Sequence, residues 1–579
     1  MMNAVAMVAG LAGVSAVPTA LGWRGGGDET IEIVPVILSG VDYPMIGRVQ
    51  SILSVDVNDA CWVGARVEAL APGTDNRREV LVAGPHRGPM VPVVVGGEMV
   101  RGTDLRAPLS GFSTFQIGRF GDFSYFASLA GSGGSQGTIV WGPGLGSSQV
   151  VVARMGTQVP GQLPGVVYVS VAPAHALGSN TILSFSTLIA GPGVTSETDR
   201  GVVISRGGSA TFVREGVPRD SLGGRSIVLS APTPLPTVFT GVSFVAGISV
   251  EGGGTPQQAI FSAEPVTLRV QQGWSVPGIP GATYARFTNA VSVGHRAELA
   301  FTASLTGPGI TQLNASSVWL IGYGLVARGA QAAPGLPEGV RHLEFGSPVV
   351  YGRERGVMVV SSLIGEGVVP ANNTALFAGP AGALGVVARA GDRAPGTPEG
   401  VVIGPFDALR DQTAAYVNAK GDVVFISRLR GEGVTTANDL AVFVREAGGP
   451  LRLVLREGGT VRVNGVDRVV GEILNASPNQ DGGPWMSNGD DGRRTILSRH
   501  GECFLVVRFT DGGSALLKAQ AAARPCPADF NADRFIDCFD YLDYVAAFEG
   551  GDPSANQNED EFVDYFDYAT FVEFFEVGC

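Results

Sequence analysis

From residue 32 to about residue 520 the apolar positions come in short runs rich in Val, Ile, Phe and Leu, each bounded by Gly, Pro or Asn. Nowhere in this stretch does the three-to-four-residue spacing of an amphipathic helix persist, so the pattern predicts β-strands joined by tight turns. In the unit that ends at Gly391 the runs are 341–350, 356–363, 374–378 and 385–389, four predicted strands. A run at 32–38 precedes the first complete unit and matches the last strand of the others, so it is expected to close against the final unit. Residues 1–22 read differently. They are uncharged and apolar, followed by Trp23 and Arg24, which predicts a secretory signal cleaved after Ala16 or Gly22, with a single membrane anchor as the alternative. No other stretch is long and apolar enough to cross a bilayer.

The runs repeat. An Arg-x-Gly-x-x-x-Pro-Gly element is clearest at Arg154, Gly156 and Gly161, at Arg328, Gly329 and Gly335, and at Arg389, Gly391 and Gly396. Looser copies centre on Gly40, Gly97, Gly216, Gly273 and Gly458, and successive anchors lie 57, 59, 60, 57, 56, 62 and 67 residues apart. A second element falls within each unit, best seen from Asn418 through Gly421 to Phe425, with degenerate copies at 294–301 and 178–185. A glycine turn follows it at 188–194, 305–310, 363–368 and 429–434. A fixed period near 60 with four strands per unit predicts an all-β repeat body, an eight-bladed β-propeller (seven blades, or an open row of modules, being the alternatives). One blade cannot bury both of its faces, so neighbours must stack and the ring must close.

Composition fits that reading. The chain has 84 Gly in 579 residues yet is 45% hydrophobic, which suits many short strands rather than disorder. The formal charge of −13 is local: residues 525–579 carry 14 acidic residues and one Arg, whereas the rest holds 39 of each sign. A neutral body with only two lysines, Lys420 and Lys518, lacks the concentrated basic surface that nucleic acid requires.

The acidic tail carries the most readable chemistry. Asp529, Asn531, Asp533, Phe535, Asp537 and Asp540 occupy positions 1, 3, 5, 7, 9 and 12 of a twelve-residue loop. Asn556, Asn558, Asp560, Phe562, Asp564 and Asp567 repeat that spacing 27 residues later. This is the spacing by which an EF-hand-type loop wraps oxygen ligands around Ca²⁺. The two phenylalanines would offer backbone carbonyls, leaving their rings free to pack; Asp537 and Asp564 would act through water, and Asp540 and Asp567 would close each site. A helix is expected after each loop, with Phe539, Leu542 and Val545 inward in the first and Phe566, Ala569 and Val572 in the second. Position 6, where the chain turns sharply, is Arg534 and Glu561 instead of Gly, at a cost on the order of 1 kcal/mol each. The first loop has four ligand-position carboxylates and the second three, so the first Ca²⁺ site is expected to be the tighter.

Five cysteines in an exported chain suggest disulfides. Cys526 and Cys579 bracket the calcium module, where a bridge would tie its ends, and Cys538 inside the first loop is the odd one. Cys61 and Cys503 fall in the first and last units, neighbours in a closed ring, as a bridge or as two buried thiols. Gly133, Ser135 and Gly137 match a nucleophile-elbow pattern, but they lie in a Gly/Ser turn rather than between a strand and a helix. The five histidines are scattered; His342 with Glu344, and Asp407 with Asp411, read as solvated loop residues, with a channel mouth as the alternative.

The tandem Asn-x-x-Gly-x-x-Ala-Phe repeats resemble the choice-of-anchor repeat proteins of planctomycete-type bacteria. The tail from Cys526 through Asp529 and Asp533 to Cys579 resembles their GC-type dockerin-like domain. That resemblance implies export, calcium-dependent folding of the tail, and attachment at or beyond the cell surface to a cohesin-like or other surface protein. It implies no defined activity for the repeats. Three segments are thus expected: a signal at 1–22, a β-repeat body at 23–522 and a dockerin-like calcium-binding domain at 523–579. The reading is a secreted or cell-surface, non-enzymatic repeat protein whose propeller binds a glycan or protein, with no membrane span after signal cleavage. The alternative is a glycan hydrolase or lyase tethered by the tail, which would need two carboxylates about 5–9.5 Å apart across the central cleft.

Overall fold

A computed structural model describes residues 31–577 apart from 59–61, 86–88, 101, 103–106, 119–120, 131–135, 179–180, 208, 230–236, 239–241, 251, 264, 294–297, 353–354, 407–413, 475–485, 490–492, 500, 521–526, 531–537, 559 and 561. The body is an eight-bladed β-propeller, each blade an antiparallel sheet of at least four strands. We letter the strands A to D in each blade. The A strands of neighbouring blades touch one another, which puts them at the axis.

Blade one shows the plan. Gly47–Val57, Trp62–Leu70, Arg77–Pro85 and Val91–Val95 pair in chain order. In blade six the order is Arg341–Phe345 with Val349–Tyr351, then Gly356–Ile364, Thr374–Pro380 and Gly385–Arg389. The four predicted strands of that unit are all present, and strand A alone differs, being interrupted between Phe345 and Val349.

Ring closure follows the expectation for the N-terminal run. Blade eight takes strands A to C from Val466–Ile473, Glu502–Phe509 and Ser514–Gln520, and its outermost strand is Glu32–Leu38. Ile33 pairs with Ala519 and Leu38 with Ala515. A single apolar cluster then runs through blades seven, eight and one, from Val442 through Phe504 to Val49 and Val63. Cys503 is a free thiol buried in that cluster; Cys61, the alternative bridge partner expected from the sequence, lies outside the described residues, as do Cys526 and Cys579, and of Cys538 the backbone alone is described.

The repeat motifs are the joints of the blades. The arginine ending strand D turns back to the loop between B and C: Arg214 Nε donates to Thr198 O (2.8 Å), Arg328 to Asn314 O (2.7 Å), Arg389 to Asn372 O (2.9 Å) and Arg456 to Asn438 O (2.8 Å). Three of those acceptor residues are asparagines whose own Oδ1 closes the loop on the N–H of Thr311, Val369 or Thr435. The second motif is the A–B turn. Its glycine has positive φ at Gly121 (73°) and Gly421 (86°), and Thr181 (58°) and Arg355 (56°) take the same conformation without being glycine.

The tail is helical. Helix α1, Cys538–Glu549, and helix α2, Tyr565–Val577, pack through Tyr544, Ala555 and Phe571, with Phe530 edge-on to both rings. Tyr544 and Phe571 stack with centroids 3.8 Å apart. The inward face matches the expected one at Val545 but differs elsewhere. Leu542, Phe566 and Ala569 are exposed, whereas Tyr541, Val545, Phe548, Tyr568 and Phe575 pack inward. Aromatic rings, three of them tyrosines, make up most of this small core.

Candidate functional site

In each antiparallel blade the A–B and C–D turns emerge at one end and the B–C and D–A loops at the other. At the A–B end polar side chains join neighbouring blades. In blade seven Asn418 Oδ1 accepts the N–H groups of Lys420 and Asp422, while its Nδ2 reaches Ser498 O and Arg499 O in the A–B turn of blade eight. Asn58 of blade one likewise donates to Gly118 O in blade two (2.5 Å). Neighbouring turns are thereby stitched side to side. In three of these turns an acidic residue is buried and engaged: Asp422 accepts from Ala447 N (3.1 Å), Asp122 from Trp141 Nε1 (3.3 Å), and Glu502 pairs with Lys518 at 3.1 Å.

The axis is crossed by the chain itself. Between strands A and B, blade eight carries an insertion whose described residues, 486–489 and 493–499, contact opposite sides of the ring. Met486 and Ser487 pair in parallel with Ala415 and Tyr416 of blade seven, and Asn488 Nδ2 donates to Val350 O of blade six. Farther on, Arg494 Nε donates to Phe115 O of blade two (3.2 Å) with its guanidinium 5.4 Å from that ring. Blades two and six stand opposite each other in an eight-membered ring, so this segment must traverse the channel. Asp56 at the end of strand A in blade one fastens it, accepting from Thr495 N (3.2 Å) and Ile117 N (3.0 Å). Burial pushes its pKa up to about 7, against the opposing pull of Arg494.

His342 is a core residue, neither channel-lining nor solvated. It is buried between Phe345 and Phe377, bonds Ser361 Oγ through Nδ1 at 2.9 Å, and burial lowers its pKa to about 4. Ser135, Asp407 and Asp411 lie outside the described residues.

A cavity of about 580 Å³ opens at the A–B end between blades six and seven. Tyr351, Lys420, Arg445, Glu446 and Arg499 line it, and Asn558 of the tail completes the wall. Arg499 Nη2 donates to the backbone oxygen of Gln557 at 3.0 Å, so tail and propeller touch here. The sequence reading missed the crossing segment, the cavity and this contact. The available signal was the long Asn-, Gly- and Asp-rich break after Ile473, in which the strand pattern fails.

Of the predicted calcium-loop residues, Asn531, Asp533, Phe535, Asp537, and both position-6 residues, Arg534 and Glu561, lie outside the described set. Asp529 and Asp540 are buried at the two ends of the first loop. The second loop is described at all six ligand positions. The fully buried Asp567 carboxylate accepts from Asn558 N (2.9 Å) and Asp564 N (2.8 Å), drawing position 12 back onto positions 3 and 9. Asn558 Oδ1 accepts from Asp560 N (2.7 Å) and Asp560 Oδ1 from Phe562 N (2.8 Å). Asn556 Oδ1, at position 1, is buried with no hydrogen-bond partner among the described residues. Phe562 projects its ring into solvent rather than packing it. Among the described residues no three His, Cys, Asp or Glu side chains gather as a metal cluster. No described helix is long and apolar enough to cross a membrane.

A family model described as a family of unknown function, DUF7453, matches residues 4–233 and 238–530. No curated protein matches the chain. Among solved structures, the GH74 xyloglucanase from Xanthomonas campestris is similar over 83% of this chain and 59% of its own, at 12% identity and a TM-score of 0.28. An acylaminoacyl peptidase from Pyrococcus horikoshii is similar over 73% of this chain and 55% of its own, at 7% identity and a TM-score of 0.32. A PL25 ulvan lyase is similar over 73% of this chain and 96% of its own, at 9% identity and a TM-score of 0.27. The chain thus spans little more than half the length of the first two, and likenesses this distant assign no activity.

Proposed function

The chain belongs to DUF7453, a family of unknown function, and we propose that it is an exported, non-enzymatic propeller held at or beyond the cell surface by a calcium-dependent, dockerin-like tail. The observation that carries this reading is the second tail loop. It has oxygen donors at every ligand position, its position-12 carboxylate folds back on the loop, and the buried Asn556 Oδ1 is left without a hydrogen-bond partner among the described residues. An oxygen-only donor set of this spacing suits Ca²⁺, whose charge, when bound, would offset the crowded carboxylates. Asn556, Asn558, Asp560, Asp564 and Asp567, with the Phe562 carbonyl, would hold one ion; Asp529, Asn531, Asp533, the Phe535 carbonyl, Asp537 and Asp540 would hold the other.

Attachment to a cohesin-like or other surface protein is supported by exposed apolar side chains on the tail. Leu542, Phe562, Tyr565 and Phe566 are all more than half exposed, an unusual concentration for so small a module. The propeller would present its loops to a glycan or protein, a reading that rests on the fold alone. Glycan hydrolysis or elimination is less well supported. Asp56, an acid at the end of an axial strand, is occupied by two backbone N–H groups, and the insertion described at 486–489 and 493–499 reaches across the channel. Calorimetric titration of the full chain with CaCl₂ tests the calcium reading. Two sites are expected, with Asp540→Ala removing the tighter and Asp567→Ala the weaker. Absence of a Ca²⁺ heat that both substitutions diminish would overturn it.

A further inference from the structure

The body is electrically neutral and the tail carries the whole −13, yet the tail meets the propeller at a patch of positive charge. Lys420, one of two lysines in the body, lines the cavity with Arg445 and Arg499, and the acid there, Glu446, is already paired with Arg452. Arg499 is the most informative of these. Its backbone oxygen is held by Asn418 as part of the stitching between A–B turns, and its side chain, 5% exposed as a residue, runs out to Gln557. Gln557 stands at loop position 2, between the candidate ligands Asn556 and Asn558. A guanidinium on that carbonyl fixes the Gln557–Asn558 peptide, next to the Cα that carries the Asn558 side chain.

We propose that the A–B face of blades six to eight is the docking surface for this chain's own second tail loop, and that Ca²⁺ at that loop governs the docking and with it the closure of the cavity. The proposal rests on the calcium reading above and adds a coupling to it. Without the ion, the acidic side chains at positions 5, 9 and 12 repel one another and the loop does not present the Gln557 carbonyl to Arg499. With the ion, the loop is set and the cationic rim receives it. Linkage makes the effect reciprocal: whatever factor docking adds to Ca²⁺ affinity, Ca²⁺ adds to docking. The second loop then meets the body through Gln557 and Asn558, while Phe562, Tyr565 and Phe566 stay exposed.

The test uses the full chain, with small-angle scattering for tail position and calorimetry for Ca²⁺ binding. In CaCl₂ the protein should scatter as one compact body; in chelator its maximum dimension should grow. Lys420→Glu, an exposed position that leaves the fold intact, and Arg499→Ala should both release the tail in CaCl₂ and weaken the lower-affinity Ca²⁺ site roughly tenfold, within the usual range of coupling factors. Asp567→Ala should release the tail through the ion instead. Normal Ca²⁺ binding with scattering indifferent to Ca²⁺ and to both rim variants would overturn the coupling alone. Absence of Ca²⁺ binding would overturn the calcium reading, and the coupling with it.

Discussion

A handful of buried polar residues does work that their sequence neighbours do not reveal. Asp56 sits in a strand whose inward positions are otherwise Val and Ile, and its two carboxylate oxygens receive backbone N–H groups from blade two and from the crossing segment. Burial raises its pKa from an ordinary carboxylate value to about 7. The folded state therefore holds this proton more tightly than the unfolded chain, so its contribution to stability is full below about pH 4 and is lost as pH rises toward 7 and beyond. Asp56→Asn removes that dependence. In urea titrations across pH 4 to 8, the wild-type free energy relative to the variant should fall with rising pH; a pH-independent difference would show that Asp56 ionises as it does in the unfolded chain. The sequence offered no hint of this residue, because its role depends on Ile117 and Thr495, 61 and 439 positions away. His342 was misjudged for the same reason: a lone histidine beside a glutamate looks solvated until Phe345 and Phe377 close over it.

At the scale of elements, the repeat glycines divide into two kinds that the sequence does not separate. Gly365, in the B–C turn of blade six, has φ of 135°, and a methyl group there would collide with the carbonyl oxygen of Gly339. The same encounter recurs between Gly191 and Gly165, Gly307 and Gly281, and Gly431 and Gly400. The B–C turn and the glycine of the preceding D–A loop, some 26 residues apart in blade six, are thus one joint where backbone touches backbone. Gly367, two residues on, has φ of 70° and open space around it. Gly367→Ala should cost only the left-handed penalty, about 1–2 kcal/mol. Gly365→Ala carries backbone strain plus the collision, and should exceed the ~1–3 kcal/mol of a strained residue alone. Equal midpoints for the two variants in denaturant would refute the distinction. The strands and turns were legible because hydrophobic runs and glycines act locally. The inward face of the tail helices was not, because Tyr541, Tyr544 and Tyr568 bury rings while keeping hydroxyls bonded, as in the 2.7 Å contact between Tyr541 and Tyr568.

For the whole molecule the decisive element is the seam. In seven blades strands A to D come from one continuous stretch of chain, but blade eight is completed by Glu32–Leu38 from the other end of the body. Without that strand, Ser514–Gln520 becomes an open edge with unpaired N–H and C=O groups, the arrangement that invites intermolecular pairing. The strand also buries Ile33, Ile37 and Leu38 in the cluster shared by blades seven, eight and one. At ~1.5–3 kcal/mol for each buried aliphatic side chain, the seam contributes roughly 5–9 kcal/mol. That is comparable with the entire stability of an ordinary domain, about 5–15 kcal/mol. Removing residues 1–39 should therefore abolish the cooperative transition and promote aggregation, whereas removing residues 1–30 should leave the melting temperature unchanged. Differential scanning calorimetry with light scattering separates the two truncations. A cooperative melt of the shorter chain within a few degrees of the longer one would mean that the ring holds without its clasp, and that stacking between blades, rather than closure, carries the fold.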